Sequence, residues 1–389
     1  MNPMKMTTIK VIHIIGGGEY GGAEDHIIHL LKQLKPRQIE PQVICFYDAL
    51  FAKRLREAGI PVTVLDYPRF DPRLTGAISK VLKDEQPDIV HTHGVKANFF
   101  GRKAAGKVGV PLVVTTVHSL LRFDYENPFS YRMAKFLEDI SRKKTDYYIA
   151  VSRRIASDLR EGNVPAGKVQ LISHGIDTDR FSPEPTAFSD ELTMAWKDGD
   201  RDKILVGAVG RLQDVKGFSY FIDACARLDR AYPDTFTFVL IGDGPHKADL
   251  EQQVKKRKLG HVFRFAGFRE DVDQCLKALD VYVSSSLSEG LGLAVMEALA
   301  SGTPVITTGV GGVLDFAEDG RNALVIKEGD ADEIVNAVVR IKDEPELGEA
   351  VALQGVEDIQ NRFSLDKMGE ETSGYYRSWL LQKQHNARS

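Results

Sequence analysis

Short runs of Val, Ile, Leu and Phe alternate along this chain with longer amphipathic stretches in which apolar residues recur at helical spacing. Uninterrupted apolar runs are typical of strands that are buried on both faces of a parallel sheet and connected by helices. In the first half, the predicted strands are 9–15, 42–47, 62–65, 88–92, 112–117 and 147–151. In the second half, they are 204–210, 236–241, 262–266, 281–284, 304–307 and 323–326.

This alternation is interrupted once, over residues 175–203, which are polar and irregular and contain Pro183 and Pro185. Because proline opposes helix formation, we expect a linker at 181–203. It separates two α/β domains, predicted at 1–180 and 204–364, and an amphipathic helix at 365–389 is expected to pack back toward the first domain. Open α/β sheets carry their sites at the carboxyl ends of the strands, so the loops there are the places to search for function.

Composition narrows the class of protein. A chain of 389 residues with 43% apolar and 27% charged residues suits two globular domains, and a net charge of −4 argues against a nucleic-acid partner. Cys45, Cys225 and Cys275 have no CxxC spacing, which disfavours a disulfide framework or a zinc site and favours the cytoplasm. The apolar run at 11–15 is too short for a signal peptide or a membrane span.

A glycine-rich segment follows the first predicted strand. Gly16, Gly18 and Gly21 fit the G-x-G-x-x-G pattern of dinucleotide-binding enzymes, so an NAD-dependent oxidoreductase is a rival interpretation. That pattern expects an acidic residue about 20 positions further on, but the acid that ends the second strand is Asp48. For Gly21 and Gly22 we favour a role beside an anion, since glycine lets phosphate approach the N–H groups of a helix N-terminus.

The segment SEGLGLAVMEALASGTPVI, after the strand VYVSSS, is a more specific signal. Glu289 lies in a predicted loop and Glu297 in the helix that begins near its end, so the two acids flank a helix N-terminus suited to negative charge. A carboxylate such as Glu297 accepts hydrogen bonds from vicinal ribose hydroxyls; the plain alternative is two solvated surface acids. The candidate N–H donors belong to Gly290, Leu291, Gly292 and Leu293.

Two further loops of the second half carry candidate donor contacts. Arg211 and Lys216 lie five residues apart after the first strand, where two cations would neutralise a diphosphate, although an ordinary solvated loop has the same composition. The backbone around Phe268 and Arg269 is a candidate for hydrogen bonds to a base edge, and an unremarkable surface loop is nearly as good an interpretation.

Together these segments resemble the GT4 family of retaining glycosyltransferases, also called glycosyl transferases group 1, whose fold is GT-B. The resemblance covers nearly the whole chain and keeps the order of the family's motifs. The matching segments are GGAE at 21–24, PDIVHTHG at 87–94, VHS at 117–119, IAVS at 149–152, GRL and VKG within 210–217, GDGP at 242–245 and E-x7-E at 289–297.

The resemblance implies two Rossmann-like, doubly wound domains facing across a cleft, with the acceptor side in the first and the nucleotide-sugar site in the second. It implies transfer of a hexosyl unit from a nucleoside diphosphate sugar, with a UDP-sugar expected, to an acceptor hydroxyl in polysaccharide, glycolipid or related synthesis. No metal and no cofactor besides the nucleotide-sugar co-substrate are expected. A nucleotide-sugar epimerase of the same architecture is the alternative enzyme.

The resemblance also assigns roles. In such enzymes the residues that match Arg211 and Lys216 bind the diphosphate, the one that matches Glu297 binds the ribose, and the one that matches Glu289 lies at the donor sugar. His118 matches the histidine that approaches the sugar near the reacting carbon. The predicted catalytic residues are therefore His118, Arg211, Lys216 and Glu289.

Two features qualify this picture. His91 and His93 lie two apart at a strand end and so point to one face, but two ligands without a nearby third are a weak metal signal. After the strand PVITT, the family often has a GG-x-PE-like turn, whereas Leu314 and Asp315 stand here in the Pro and Glu places.

The stretch 120–146 is particular to this chain and rich in Lys and Arg. A basic amphipathic helix of this kind can rest on an anionic membrane that holds a lipid-linked acceptor, which would make the protein peripheral on the inner face of the membrane. The alternative is a helix whose charges are simply solvated.

Overall fold

The structure is a computed structural model that describes residues 8–18, 22–68, 71–124 and 127–388. The chain divides into two compact units. Unit 1 consists of Met1–Gly175 together with Leu365–Ser389, and unit 2 is Ile176–Ser364. Each unit is built on one parallel sheet, as the apolar runs predict.

Unit 1 contains a seven-stranded sheet in the order β3-β2-β1-β4-β5-β6-β7. Because strand order runs outward in both directions from β1 and β4, the loops that follow these two strands leave in opposite directions and open a crevice between them. The strands are β1 (Ile9–Ile15), β2 (Ile39–Cys45), β3 (Val62–Val64), β4 (Ile89–His93), β5 (Leu112–Val117), β6 (Tyr147–Ala150) and β7 (Val169–Leu171).

Helices cover both faces of this sheet, and the alternation of β1 explains how. Ile12 and Ile14 face a core formed with the third and fourth helices, whereas Val11 packs with the first and the last helix. The helices between the strands are α1 (Gly22–Leu34), α2 (Leu50–Glu57), α3 (Arg73–Glu85), α4 (Val95–Val108), α5 (Leu121–Asp124), α6 (Pro128–Ser141) and α7 (Arg153–Glu161).

Strand β2 begins three residues earlier than predicted and includes Pro41. Proline cannot donate a ladder hydrogen bond and is confined to places where a strand lacks a partner on one side. That condition holds here, because β3 pairs only with Val43–Cys45, while the earlier part of β2 pairs with β1 alone.

Unit 2 contains a six-stranded parallel sheet in the order β10-β9-β8-β11-β12-β13, so its order reverses between β8 and β11. The strands are β8 (Ile204–Val209), β9 (Phe236–Ile241), β10 (Phe263–Gly267), β11 (Val281–Ser284), β12 (Val305–Thr308) and β13 (Leu324–Ile326). The helices are α8 (Ala187–Trp196), α9 (Phe218–Ala231), α10 (Lys247–Lys256), α11 (Val272–Lys277), α12 (Leu293–Ala300), α13 (Ala331–Asp343) and α14 (Pro345–Arg362).

The expectation of an irregular linker at 181–203 is wrong for its middle part, which forms α8 and belongs to unit 2. The helix begins directly after the prolines, where Thr186 and Ser189 form a reciprocal capping box. Thr193 donates a hydrogen bond to the carbonyl of Ala278 at 3.0 Å, and Trp196 is buried. The two prolines therefore end the preceding loop rather than exclude a helix.

The last helix, α15 (Leu365–Arg388), belongs to unit 1. Tyr376 and Trp379 are buried in the core that includes Val11, and the Trp379 ring stacks on Tyr147 with centroids 4.5 Å apart. The Tyr376 hydroxyl and Nδ1 of the buried His91 form a hydrogen bond of 2.5 Å. Over the described residues, neither this helix nor any other is long and apolar enough to cross a membrane.

The contact between Tyr376 and His91 should be measurable as stability of unit 1. In Tyr376→Phe, a buried ring nitrogen loses its partner, which costs about 1–3 kcal/mol. Urea unfolding followed by Trp379 fluorescence, in a Trp196→Phe background so that only unit 1 reports, measures the loss. Leu381→Ala on the exposed side of α15 is the control and should change stability by less than about 0.5 kcal/mol. Equal stabilities of the two variants would contradict the assignment.

Candidate functional site

The candidate donor site of unit 2 lies where its strand order reverses. The loop after β8 carries Arg211 and Lys216, and the loop after β11 carries Glu289, so the two loops extend from neighbouring strands. They are joined by backbone and side-chain hydrogen bonds: Leu287 N–H donates to the carbonyl of Val215 at 2.8 Å, and the Ser285 hydroxyl donates to that of Lys216 at 3.1 Å. These hydrogen bonds hold the two loops together at the crevice of this open α/β sheet.

Lys216 and Glu289 form a direct ion pair. Lys216 Nζ donates to Glu289 Oε1 at 2.7 Å, and the Ser286 hydroxyl donates to the same oxygen at 2.7 Å. Both charged side chains are largely buried, with 21% and 12% of their surfaces exposed. The lysine predicted for diphosphate and the glutamate predicted for the sugar are therefore brought together, and the carboxylate holds the ammonium in place.

Two glycines, one before α9 and one after β12, allow close approach to the loop after β11. Gly217 has a φ of +63°, and a Cβ there would lie 2.1 Å from the Ser285 carbonyl oxygen. Gly311 has a φ of +57°, and a Cβ there would lie 1.8 Å from the carbonyl oxygen of Glu289. The turn with the unusual Leu314 and Asp315 is a 3-10 helix, Gly311–Asp315, that packs directly against the backbone of Glu289. Any other residue at 217 would push the loops after β8 and β11 apart, and any other residue at 311 would push the turn after β12 away from Glu289.

Helix α12 starts at Leu293, one or two residues later than predicted, with Gly292 as its N-cap in a left-handed conformation. Glu297 lies on this helix and is half-buried. Tyr282 on β11 is fully buried; burial raises the pKa of its hydroxyl, and the negative charges of Glu289 and Glu297 raise that pKa further. The structure thus gathers both carboxylates around the end of β11, while Gly290 and Leu291 form the turn between them.

The other predicted donor contacts differ in character. Arg211 is exposed at the same sheet edge. Phe268 is 66% exposed, and Arg269 forms a bidentate ion pair with Asp271, with Nε 2.8 Å from Oδ1. That pair raises the pKa of Arg269, and it leaves the backbone of 268–269 as the part of this loop suited to a base edge.

The GDGP segment has a structural role. A Cβ on Gly242 would lie 1.9 Å from the Gly210 carbonyl oxygen, and one on Gly244 would lie 2.5 Å from that of Leu212. The loop that begins after β8 is thereby pressed against the loop after β9, with Leu212 N–H donating to the carbonyl of Asp243 at 3.0 Å.

In unit 1, the predicted glycine loop lies partly outside the described residues: Gly21 is among those left out, and Gly22 is the first residue of α1. His118 follows β5 and is half-buried. It borders a pocket of about 300 Å³ within unit 1, lined also by Gly94, Tyr131 and Lys135. Further lining comes from the end of β5 and from α6 and α7.

His118 belongs to a chain of hydrogen-bonded imidazoles. His13 Nδ1 is 3.0 Å from His93 Nε2, His93 Nδ1 is 3.0 Å from His118 Nε2, and His118 Nδ1 is 3.1 Å from His174 Nε2. His26 stacks on His174 with centroids 3.7 Å apart. Since a neutral imidazole has one N–H and one lone pair, the tautomers along this chain must all point in the same direction. The sequence singled out His118 but gave no sign of the role of His13, His26 or His174.

The fold also brings a third histidine, His13, close to His91 and His93. His13 pairs with His91 across the β1–β4 ladder. His13, His91 and His93 bring ring nitrogens within 4.8 Å of one another, as do His26, His118 and His174. The premise that His91 and His93 have no nearby third ligand is therefore wrong. In both groups, however, ring nitrogens already bond to one another or, for His91, to Tyr376 and Thr116.

Burial keeps these imidazoles neutral. It lowers the pKa of His13 to about 3 and that of His118 to about 4. The pKa values of His26, His91, His93 and His174 also fall well below the usual range, first through burial and then through neighbouring histidines. Neutral rings suit a hydrogen-bonded chain, in which the inner rings, His93 and His118, each donate at one nitrogen and accept at the other.

These pKa values predict how the stability of unit 1 depends on pH. The unfolded chain protonates its histidines near pH 6.5 and the folded one only near pH 4 or below, so stability is full above pH 6.5 and falls as pH drops toward 4. In His118→Asn, the slope of unfolding free energy against pH should decrease by up to one proton, about 1.4 kcal/mol per pH unit.

Urea titrations between pH 7.5 and 4.5, again with Trp379 as the reporter, measure that slope. His385→Asn is the control, because His385 is exposed on α15, and its slope should match the parent protein. An unchanged slope in His118→Asn would show that His118 titrates normally in the folded state.

The fold and the comparisons now identify the class of this protein. Two doubly wound parallel sheets with flanking helices match the architecture of GT-B glycosyltransferase structures. Residues 20–180 match the model of Glycosyltransferase Family 4, and residues 193–355 match that of Glycosyl transferases group 1. The chain belongs to this family, and it is a glycosyltransferase.

Several curated proteins are similar over most of their length. The chain is 31% identical over 318 residues to the UDP-Gal:alpha-D-GlcNAc-diphosphoundecaprenol alpha-1,3-galactosyltransferase of Escherichia coli, covering 79% of each chain. It is 27% identical over 367 residues to the lipopolysaccharide core biosynthesis glycosyltransferase LpsE of Rhizobium meliloti, covering 92% of this chain and 95% of that protein. Among solved structures, Anabaena HepE in complex with UDP and glucose superposes with a TM-score of 0.83 at 23% identity, covering 95% of this chain and all of HepE.

Proposed function

We propose that this glycosyltransferase transfers a hexosyl unit from a UDP-sugar to an acceptor hydroxyl and retains the anomeric configuration. The observation that carries the proposal is the ion pair between Lys216 and Glu289 where the strand order of unit 2 reverses. A cation and a carboxylate lie together there, beside the N-terminus of α12, which supports a role for the cation at the diphosphate and for the carboxylate at sugar hydroxyls.

Two kinds of relative support UDP as the nucleotide. The Escherichia coli protein is described as using UDP-galactose, and the HepE structure contains UDP and glucose. In our proposal, Lys216 and Arg211 bind the diphosphate, Glu297 accepts hydrogen bonds from the ribose, and the backbone of 268–269 meets the base. Gly290, Leu291, Gly292 and Leu293 present N–H groups to the donor.

The proposed chemical step needs no covalent intermediate. The acceptor oxygen attacks the anomeric carbon from the face that the diphosphate leaves; the bond from that carbon to the phosphate oxygen breaks as the new glycosidic bond forms. The acceptor proton passes to the departing phosphate oxygen, and the products are a glycoside and UDP. Catalysis then rests on positioning and on the cations of Arg211 and Lys216, which stabilise the charge that develops on the leaving group.

His118 is proposed to act at the sugar, and its surroundings restrict how it does so. Both of its ring nitrogens are bonded to His93 and His174. A hydrogen bond from the ring to a substrate hydroxyl therefore requires one of those two contacts to open. Because His118 is neutral, it offers a dipolar hydrogen bond rather than a positive charge.

We further propose that the reaction needs no metal and no cofactor besides the nucleotide sugar. In this proposal, the positive charges of Arg211 and Lys216 stabilise the diphosphate, as Mg²⁺ does in metal-dependent transferases. The two histidine groups are the sets of described residues with suitable ligand atoms, and His93 and His118 would have to give up ring-to-ring hydrogen bonds to bind an ion.

For the acceptor, we propose a lipid-linked saccharide in cell-surface polysaccharide or glycolipid synthesis, met at the inner face of the membrane by a cytoplasmic, peripheral protein. The support is that the Escherichia coli relative is described as acting on a diphosphoundecaprenol-linked GlcNAc, and that LpsE is described as a lipopolysaccharide core enzyme.

The ion pair gives a test that separates its two members. Lys216→Met should weaken UDP binding by about tenfold or more, because it removes a charge-assisted contact to phosphate. Glu289→Gln should bind UDP as well as or better than the parent protein, since it releases Lys216, and yet lose most transfer activity. Calorimetric titration with UDP and turnover of UDP-sugars measure the two effects, and Lys255→Met on exposed α10 is the matched control.

If Lys216→Met binds UDP normally, the diphosphate assignment fails. A thermal-shift screen of UDP-, GDP- and ADP-sugars tests the nucleotide, because a bound donor raises the melting temperature. Donor incubated without acceptor supplies a second check: an isomerised sugar nucleotide would identify an epimerase instead.

Independence from metal is tested by dialysis against a chelator. We expect turnover of the dialysed protein to equal that of the untreated protein, in the continued presence of the chelator. Elemental analysis of the untreated protein accompanies the assay. Turnover that is lost on dialysis and restored by one divalent ion would refute metal independence.

A further inference from the structure

Helix α6 presents a stripe of large apolar side chains to solvent. Phe129 is 72% exposed, Met133 40%, Phe136 58% and Ile140 51%. Their spacing of four, three and four residues places them within an arc of about 60° on the helix. We call this row the α6 stripe. Four adjacent exposed apolar side chains differ from the scattered ones that any protein surface carries.

The stripe belongs to a helix that is firmly anchored. Ala134, Leu137 and Ser141 on another face are buried. Glu138 accepts hydrogen bonds from Asn98 at 2.6 Å and from the buried Arg102 at 2.7 Å. Turning the stripe inward would break these contacts, so its exposure is a property of the folded unit.

Exposed cations flank the stripe. Arg132, Lys135, Lys143 and Lys144 are exposed, and the exposed acid on this helix, Asp139, is paired with Lys135 at 3.6 Å and with Arg142 at 2.6 Å. Positive charge therefore exceeds negative charge around the apolar row. An apolar face bordered by Lys and Arg is typical of helices that lie in the interface of an anionic bilayer.

We propose that unit 1 docks on an anionic lipid bilayer through α6, with the stripe inserted at the boundary of headgroups and acyl chains and the flanking cations on the lipid phosphates. Charge complementarity favours this occupant, because a protein partner for the apolar row alone would not need a surplus of cations beside it. In this proposal, the basic stretch 120–146 rests on the membrane instead of being simply solvated.

Docking in this way would place the pocket that His118 borders at the membrane surface, and we propose that this pocket takes the acceptor. Tyr131, Lys135 and Glu138 of the same helix line the pocket that His118 borders. A saccharide attached to a membrane lipid would then reach the pocket past α6 while its lipid stays in the bilayer. This last step deepens the proposed function and rests on it, whereas the docking itself does not.

Vesicle flotation of the full chain, without donor or acceptor, tests the docking. We expect binding to vesicles of phosphatidylcholine with phosphatidylglycerol, weaker binding as salt rises, and little binding to phosphatidylcholine alone. The double variant Phe129→Ser, Phe136→Ser should reduce the partition coefficient by about tenfold or more. Arg132→Glu and Lys143→Glu should each reduce it by about fivefold or more.

Matched controls lie on unit 2. Leu353→Ser makes the same kind of change at an exposed apolar residue of α14, and Lys255→Glu makes the same charge reversal on α10; both should bind like the parent protein. Equal binding of the stripe variant and the parent would overturn the proposal, as would equal binding to neutral and anionic vesicles. A dimer in light scattering that the stripe variant abolishes would assign the stripe to a second copy of the chain.

Turnover assays distinguish a failure of membrane docking from a failure of the proposed function. With a detergent-dispersed acceptor, the stripe variant should turn over like the parent, and with vesicle-bound acceptor it should be slower. Vesicle binding without transfer to this acceptor would leave the docking standing and contradict the proposed acceptor.

Discussion

The burial of both faces of each parallel sheet is the constraint from which the rest of this structure follows. Strands such as β9, in which every residue is buried and only Thr237 is polar, leave little room for the polar groups of a site along their length. Those groups collect instead in loops at the carboxyl ends, where strand order reverses. Lys216 Nζ and Glu289 Oε1 are held 2.7 Å apart because β8 and β11 are neighbours, and Gly217 lets the loops that follow these strands touch. Gly311 lets the turn after β12 pack against Glu289.

Unit 1 differs from unit 2, because its central strands carry histidine side chains inside the core. His13 on β1 and His91 and His93 on β4 are almost completely buried. A buried polar ring is tolerated when its hydrogen bonds are made, and His93 and His118 in this row are each bonded at both ring nitrogens. At the ends of the row, Nε2 of His13 and Nδ1 of His174 are buried without a hydrogen-bond partner among the described residues. The end of β4 therefore belongs to the buried core and also carries the histidines that connect to His118.

Much of the fold could be predicted from the sequence, since twelve of the thirteen strands that the described residues form coincide with apolar runs. The missed strand, β7, has three residues, too few to establish a pattern, and α8 was hidden by the prolines that precede it. The pairing of Lys216 with Glu289 could not be read, because 73 residues separate them and only the strand order joins them. The α6 stripe was equally invisible, since periodicity shows which residues share a face but not which face meets solvent.

The return of α15 to unit 1 has a consequence for synthesis on the ribosome. The core around Val11 includes Tyr376 and Trp379, so the first 175 residues emerge without the helix that closes one face of their sheet. At roughly 5–20 residues per second, the intervening chain takes about ten to forty seconds to translate. During that interval, unit 2 can fold as a continuous segment, while unit 1 waits with exposed apolar surface, and chaperones would act on the earlier half of the chain.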